Sequence, residues 1–109
     1  MIVLDTNVVS ELARPAPDQR VIDWVDGQDS SDLVITVVTA AEVRAGVALL
    51  PEGPRRDDIV AARKRAGTPI SALDAQIAAI CRQYEATLAT RNLQDFTASG
   101  VELVDPWRS

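Results

Sequence analysis

The stretch Met1-Ile2-Val3-Leu4-Asp5-Thr6-Asn7-Val8-Val9 decides how the rest of this 109-residue chain is read. Ile2, Val3 and Leu4 form an apolar run with two β-branched members, the pattern of a short strand buried on both faces of a sheet. Asp5 closes the run, and Thr6 and Asn7 favour a helix start. In an open α/β sheet, sites form at the carboxyl ends of the strands. A carboxylate in that position either caps the next helix or holds a cation. The other acids of the chain have to separate these two possibilities.

Outward from this opening, strand and helix alternate. Asn7 to Arg14 suits a short helix halted by Pro15, and Pro17-Asp18 opens a second one that Gly27 ends. Val21, Ile22 and Val25 lie on one side of it, with Trp24 as a packing anchor. Leu33 to Val37 is expected to be a second strand, apolar on both faces. Thr39 then starts a third helix through Leu50, stopped by Pro51 and Gly53. Pro51 to Asp58 is a polar connection, Ile59 to Ala66 reads as helix, and Gly67 suits its C-terminal cap. Ser71 opens a further helix whose Leu73, Ile77, Ile80 and Tyr84 form an apolar stripe. Thr87 to Ala89 and Val101 to Val104 complete the strands. Such alternation predicts an α/β fold, a mostly parallel sheet covered on both faces by helices.

Composition narrows the chemistry. The chain has the length of one domain and should bury roughly 60–70% of its unfolded surface. A 47% apolar and 25% charged composition is that of a soluble globular protein. The net charge of −5 advertises no general nucleic-acid surface, although a bound divalent ion would change the local field. Cys81 is the single cysteine, so no intrachain disulfide is possible, in keeping with a reducing cytoplasm. Asp5 breaks the N-terminal apolar run, which excludes a signal-peptide core, and no stretch approaches the roughly 20 apolar residues of a membrane span. The chain contains no histidine, so hydrolytic chemistry has to rest on carboxylates and metal-activated water.

Sixteen Asp and Glu are present, and most sit on polar segments where solvation accounts for them. Four are placed differently. Asp5 ends the first strand, Glu42 lies one turn into the helix after the second, Asp74 sits early in the Ser71 helix, and Asp95 follows the Thr87–Ala89 strand. In a parallel sheet all four fall on one edge. Mg²⁺ and Mn²⁺ prefer oxygen ligands, and a carboxylate cluster can hold one or two such ions against a phosphodiester. Without metal, close carboxylates repel one another, so some should have raised pKa values. Spacing also allows simpler roles. Thr39-Ala40-Ala41-Glu42 and Ser71-Ala72-Leu73-Asp74 both match a hydroxyl cap with an acid three residues later. Asp95 would equally suit a solvated loop.

Taken together and in order, these segments resemble PIN-domain ribonucleases. The Leu4-Asp5-Thr6-Asn7 opening, Thr39-Ala40-Ala41-Glu42-Val43-Arg44-Ala45-Gly46, Ser71-Ala72-Leu73-Asp74-Ala75-Gln76-Ile77 and Leu88-Ala89-Thr90-Arg91-Asn92-Leu93-Gln94-Asp95-Phe96 carry the likeness. It is greatest to the VapC toxins of bacterial toxin–antitoxin pairs, including their FitB-like subgroup, and extends to the closing Val101-Glu102-Leu103-Val104-Asp105-Pro106-Trp107. The resemblance implies a PIN-like three-layer fold and a Mg²⁺- or Mn²⁺-dependent endoribonuclease. Its acids map to Asp5, Glu42, Asp74 and Asp95, supported by Thr6, Asn7, Thr90 and Asn92. It further implies a cytoplasmic protein with an RNA substrate and a cognate antitoxin that blocks the site. DNA would be reached only through that antitoxin, and the assembly would be a homodimer or a toxin–antitoxin hetero-oligomer.

One departure stands out. Between the third helix and the Asp74 helix, members of the family carry roughly thirty further residues, about one helix–strand unit. Here Pro51 to Asp58 leads almost directly into Ala61 to Gly67. One edge strand is then lost, and the Leu33–Val37 strand becomes the edge, a pairing hazard when flat and apolar. Intact acids favour a nuclease; the missing segment favours a second reading, a non-cleaving PIN-like domain that still binds an antitoxin-like partner. Arg55, Arg56, Arg63, Lys64 and Arg65 form a basic cluster that suits either RNA phosphates or a solvated helix face. Cys81 and Trp107 read as packing residues, and Glu11 as a salt partner on the first helix.

Overall fold

A computed structural model describes residues 1–45 and 70–108, with side chains at 70–72 left aside. The Leu50 helix end, the Pro51–Asp58 connection, the Ile59–Ala66 helix, the Gly67 cap and the Arg55–Arg65 cluster lie outside the described residues. The elements are β1 (Ile2–Leu4), α1 (Thr6–Leu12), α2 (Gln19–Asp26), β2 (Leu33–Val34), α3 (Val37–Arg44), α4 (Ile70–Gln83), β3 (Thr87–Ala89), α5 (Leu93–Phe96) and β4 (Leu103–Val104). The strands form one sheet in the order β2-β1-β3-β4, with every described pairing parallel. No described helix is long and apolar enough to cross a membrane.

Strand alternation sorts the apolar side chains onto two faces. Val3 and Leu88 point into a cluster with Ile77, Ala78 and Cys81 of α4 and Phe96 of α5, flanked by Val34 and Leu103. Leu4 and Ala89 point the other way, onto Val8 of α1, Val21 of α2 and Trp107, flanked by Ile2, Leu33, Val104 and Trp24. The sheet is therefore the middle of three layers, as expected, and Trp24, Cys81 and Trp107 are packing residues. Glu11 is buried and bonded to Arg14 at 3.1 Å and to the Asp18 N–H at 3.1 Å, which ties α1 to the start of α2.

Two strands are shorter than the apolar pattern predicts. The Leu33–Val37 segment pairs only through Leu33 and Val34, because the Thr36 hydroxyl takes the Thr39 N–H and turns the chain into α3 at Val37. Ile35 and Val37 are left 50% and 80% exposed. The Val101–Val104 segment pairs only through Leu103 and Val104. Among the described residues β2 has no outer neighbour, which matches the edge position expected of the Leu33–Val37 segment.

The register sets up the site. Leu4 pairs with Ala89 and Ala89 with Val104, and the next N–H groups continue the ladder, Asp5 to the Ala89 carbonyl and Thr90 to the Val104 carbonyl. Asp5 and Thr90 thus leave the sheet side by side. At the opposite edge α4 ends in a turn with Glu85 in the left-handed region (φ 53°) and the Ala86 N–H bonded back to the Cys81 carbonyl, the arrangement that lets the chain reverse into β3. Since α4 runs back against β3, its first turns lie over the carboxyl ends of the strands.

Burial makes a direct prediction. Leu88→Ala, in the fully buried centre of one face, should cost about 2–5 kcal/mol in urea unfolding. Ile35→Ser, on the half-exposed edge, should change stability by less than about 0.5 kcal/mol.

Candidate functional site

Asp5 is the fixed point. It is 5% exposed, with one carboxylate oxygen accepting from the Thr6 N–H at 2.8 Å and the other from the Thr90 hydroxyl at 2.8 Å. It is therefore the N-cap of α1 and at the same time a buried anion at the sheet edge. Burial pushes its carboxyl above the usual range and the Asp95 charge adds to this, while the Thr90 and Thr6 hydrogen bonds pull it back.

Thr90 is fully buried and uses all its hydrogen-bonding capacity. Its hydroxyl donates to Asp5 and accepts from the Asn92 N–H at 3.0 Å and the Asn7 amide at 3.3 Å. The Asn7 side-chain oxygen in turn accepts from the Arg91 N–H at 3.4 Å. Asn7, Thr90 and the Asn92 backbone thus form one polar lattice behind the Asp5 carboxylate, tying the end of β1 to the end of β3.

Glu42 is oriented from the other side. The Thr6 hydroxyl donates to its Oε1 at 2.9 Å, and the Thr39 hydroxyl lies 3.1 Å from that of Thr6. With the Thr6 proton on Glu42, Thr39 is the donor in this second contact. The expected Thr39 cap with Glu42 as its acid is not what forms. Thr36 caps α3, and Thr39, fully buried one turn in, joins the site. Sequence reasoning missed this role; the signal was that Thr39 and Glu42, three apart on a helix, share one face.

The Ser71 side chain, and with it the expected cap with Asp74, lies outside the described residues. The helix is already present at Ile70, and no acid lies in its first turn. Asp74 is half-buried, and its carboxyl is pushed up to about 7, first by burial and then by the charges of Asp5, Asp95 and Glu42. The mutual repulsion expected of clustered carboxylates is present here. Asp95 is exposed in the first turn of α5. Its charge reaches both Asp5 and Asp74. An apolar trough of about 550 Å³, lined by Val37, Val38, Ala41 and Leu73, opens beside Glu42.

The donors suit a hard cation in kind, since they are carboxylate and hydroxyl oxygens only. Among the described residues no three acids are grouped as a ready-made ligand shell. An ion here would be completed by water and substrate phosphate, the usual habit of Mg²⁺.

The chain resembles known proteins over its full length. It is 34% identical over 139 aligned positions to the plasmid stability protein StbB of Pseudomonas syringae pv. tomato, covering 100% of both chains. It is 36% identical to the toxin FitB of Neisseria gonorrhoeae, covering 98% of this chain and 99% of that protein. To the VapC ribonuclease Y4jK of Sinorhizobium fredii it is 33% identical, covering 98% of each. Two solved structures share the fold: FitAcB from N. gonorrhoeae at 32% identity, covering 100% of each chain, and FitAB bound to an IR36 DNA fragment at 34%, covering 98% of this chain and 96% of that one. Both have a TM-score of 0.74. The 139 aligned positions exceed the 109 residues of the chain by 30, the size of the missing segment inferred from the sequence. No protein-family model matches the chain.

Two outcomes follow from the site's electrostatics. Asp74 takes up its proton at about 7 in the folded state and near 3.8 in the unfolded one, so the folded state binds more protons between those limits. Metal-free stability should therefore fall as pH rises from about 4 to about 7. Asp74→Asn removes that loss, and with solvent screening of a half-buried group it should melt about 4–8 °C above wild type at pH 8 and level with it at pH 4. Thr90→Val takes the donor from a buried carboxylate and should cost about 1–3 kcal/mol in denaturant unfolding while raising the Asp5 pKa further.

Proposed function

The chain belongs to the FitB-like VapC family of PIN-domain toxins, and from this premise we propose that it is a Mg²⁺- or Mn²⁺-dependent endoribonuclease acting through Asp5, Glu42, Asp74 and Asp95. The observation that carries this function is that the charges of Asp5 at the end of β1, Glu42 on α3 and Asp95 on α5 all bear on the half-buried Asp74. Carboxylates accumulated against their own repulsion are characteristic of a functional site.

Asp5, Asp74 and Asp95 would hold the ion, with Glu42 beside them. When bound, it would polarise the phosphodiester and make water acidic enough to attack. The chain's own residues do the positioning. Thr90 and the Thr6 N–H fix both oxygens of Asp5, the Thr6 hydroxyl aims Glu42, and Asn7 with the Asn92 backbone fixes Thr90. Asp74 is half protonated near neutral pH in the metal-free protein, and as a ligand it would have to give up that proton. We take the substrate to be RNA in the cytoplasm and the partner to be an antitoxin encoded with the toxin, which covers the site and provides any contact with DNA. The assembly is a homodimer or a toxin–antitoxin hetero-oligomer.

A specific observation favours the second reading, a non-cleaving domain that keeps its partner: the chain is 30 positions shorter than its alignment with StbB. Incubation with RNA separates the two. Cleavage should need Mg²⁺ or Mn²⁺, vanish with a chelator, and fall about tenfold or more in Asp5→Asn, at least about 1.4 kcal/mol of barrier. Chelator-resistant cleavage would sink the metal mechanism. Partner binding without any cleavage would establish the non-cleaving domain.

A further inference from the structure

Beside the carboxylates, a pocket of about 370 Å³ opens at the carboxyl ends of β3 and β4, lined by Arg91, Asn92, Gln94, Asp95, Asp105 and Arg108. It shares Asp95 with the candidate site and adds two guanidinium groups. The apolar trough between α3 and α4 carries no cation, and the hollow around Arg82 and Gly100 lies at the opposite edge of the sheet.

We propose that this pocket anchors the phosphate of the RNA nucleotide adjoining the scissile bond, through Arg91 and Arg108. The inference rests on the ribonuclease function and deepens it. The Arg91 guanidinium stacks over the Trp107 ring, 5.1 Å from its centroid. Trp107 is itself buried in the core, so the stack fixes the arginine to the body of the protein. A stacked guanidinium still presents its N–H donors in its own plane, the geometry that suits phosphate. Arg108 extends on the other wall, its side chain 81% exposed and paired with Asp105 through Nε at 3.5 Å.

Asp105 accepts from the Trp107 N–H at 2.9 Å as well as facing Arg108. The pocket is at the low end of single-ligand cavities, a fit for one nucleotide rather than a folded RNA. The Asn92 and Gln94 amides line the same space and can meet a base edge.

The test is binding of a short, labelled single-stranded RNA in Ca²⁺ buffer over a range of salt, with cleavage by the same samples followed in Mg²⁺. Arg108→Gln, at an exposed position, and Arg91→Gln should each weaken binding about 3–10-fold and reduce the log–log salt slope by about 0.7, the signature of one lost phosphate contact. Arg82→Gln, an equal charge change at the opposite edge of the sheet, should leave the slope as in wild type. Unchanged slopes in both pocket variants would overturn the subsite, and cleavage by wild type would then leave the ribonuclease function standing. Reduced slopes without cleavage by wild type would keep the subsite and remove the ribonuclease. No binding of RNA by wild type would overturn the subsite as well.

Discussion

A buried carboxylate needs compensation, and Asp5 obtains it from two directions: the Thr6 N–H at the start of α1 and the Thr90 hydroxyl at the end of β3. The first is local to the helix start; the second exists only because β1 and β3 are paired in one register, Leu4 against Ala89. A slip by one residue would turn every side chain of β1 to the other face and leave the carboxylate without its hydroxyl. The packing of Val3 and Leu4 on opposite faces and the polar lattice through Asn7 and Asn92 therefore stand or fall together. Hydrophobic burial holds the sheet; Asp5 and Thr90 make its carboxyl edge a specific place.

Around that anchor the chain accumulates like charge. Asp74 carries the consequence, its carboxyl raised to about 7 by burial and by three other acids. Natural sequences retain such arrangements where stability is exchanged for function. Among the described residues, the hydroxyls of Thr6, Thr39 and Thr90 steady the acids, which orients them without neutralising them. A cation would supply what the side chains withhold. The two arginines of the β3–β4 pocket stand to one side, where they can meet a phosphate without saturating Asp5 or Asp74.

Much of this was legible from residues alone. The β1 run, the strand–helix alternation and the gathering of Asp5, Glu42, Asp74 and Asp95 toward one edge followed from period, capping signals and the rule for parallel sheets. The resemblance to VapC toxins, carried by four short motifs in order, agrees with the relatives found. The errors were local. Thr36 and Thr39 are both good caps, and spacing could not tell which hydroxyl meets an N–H and which faces Thr6. The apolar run through Val37 hid the end of β2, because β-branched residues suit a strand whether or not a neighbour pairs with them. The Arg91–Trp107 stack joins residues sixteen positions apart and has no sequence signature.

The most direct test of a shared cation site is the protonation of Asp74 followed by carbon NMR of its carboxyl, first without metal and then with saturating Mg²⁺. The account predicts a midpoint at about 7 in the metal-free protein and a shift to well below the ordinary carboxylate value once the ion displaces the proton. A midpoint near 3.8 without metal, unmoved by Mg²⁺, would contradict it, since Asp74 would then neither feel the other acids nor share an ion with them.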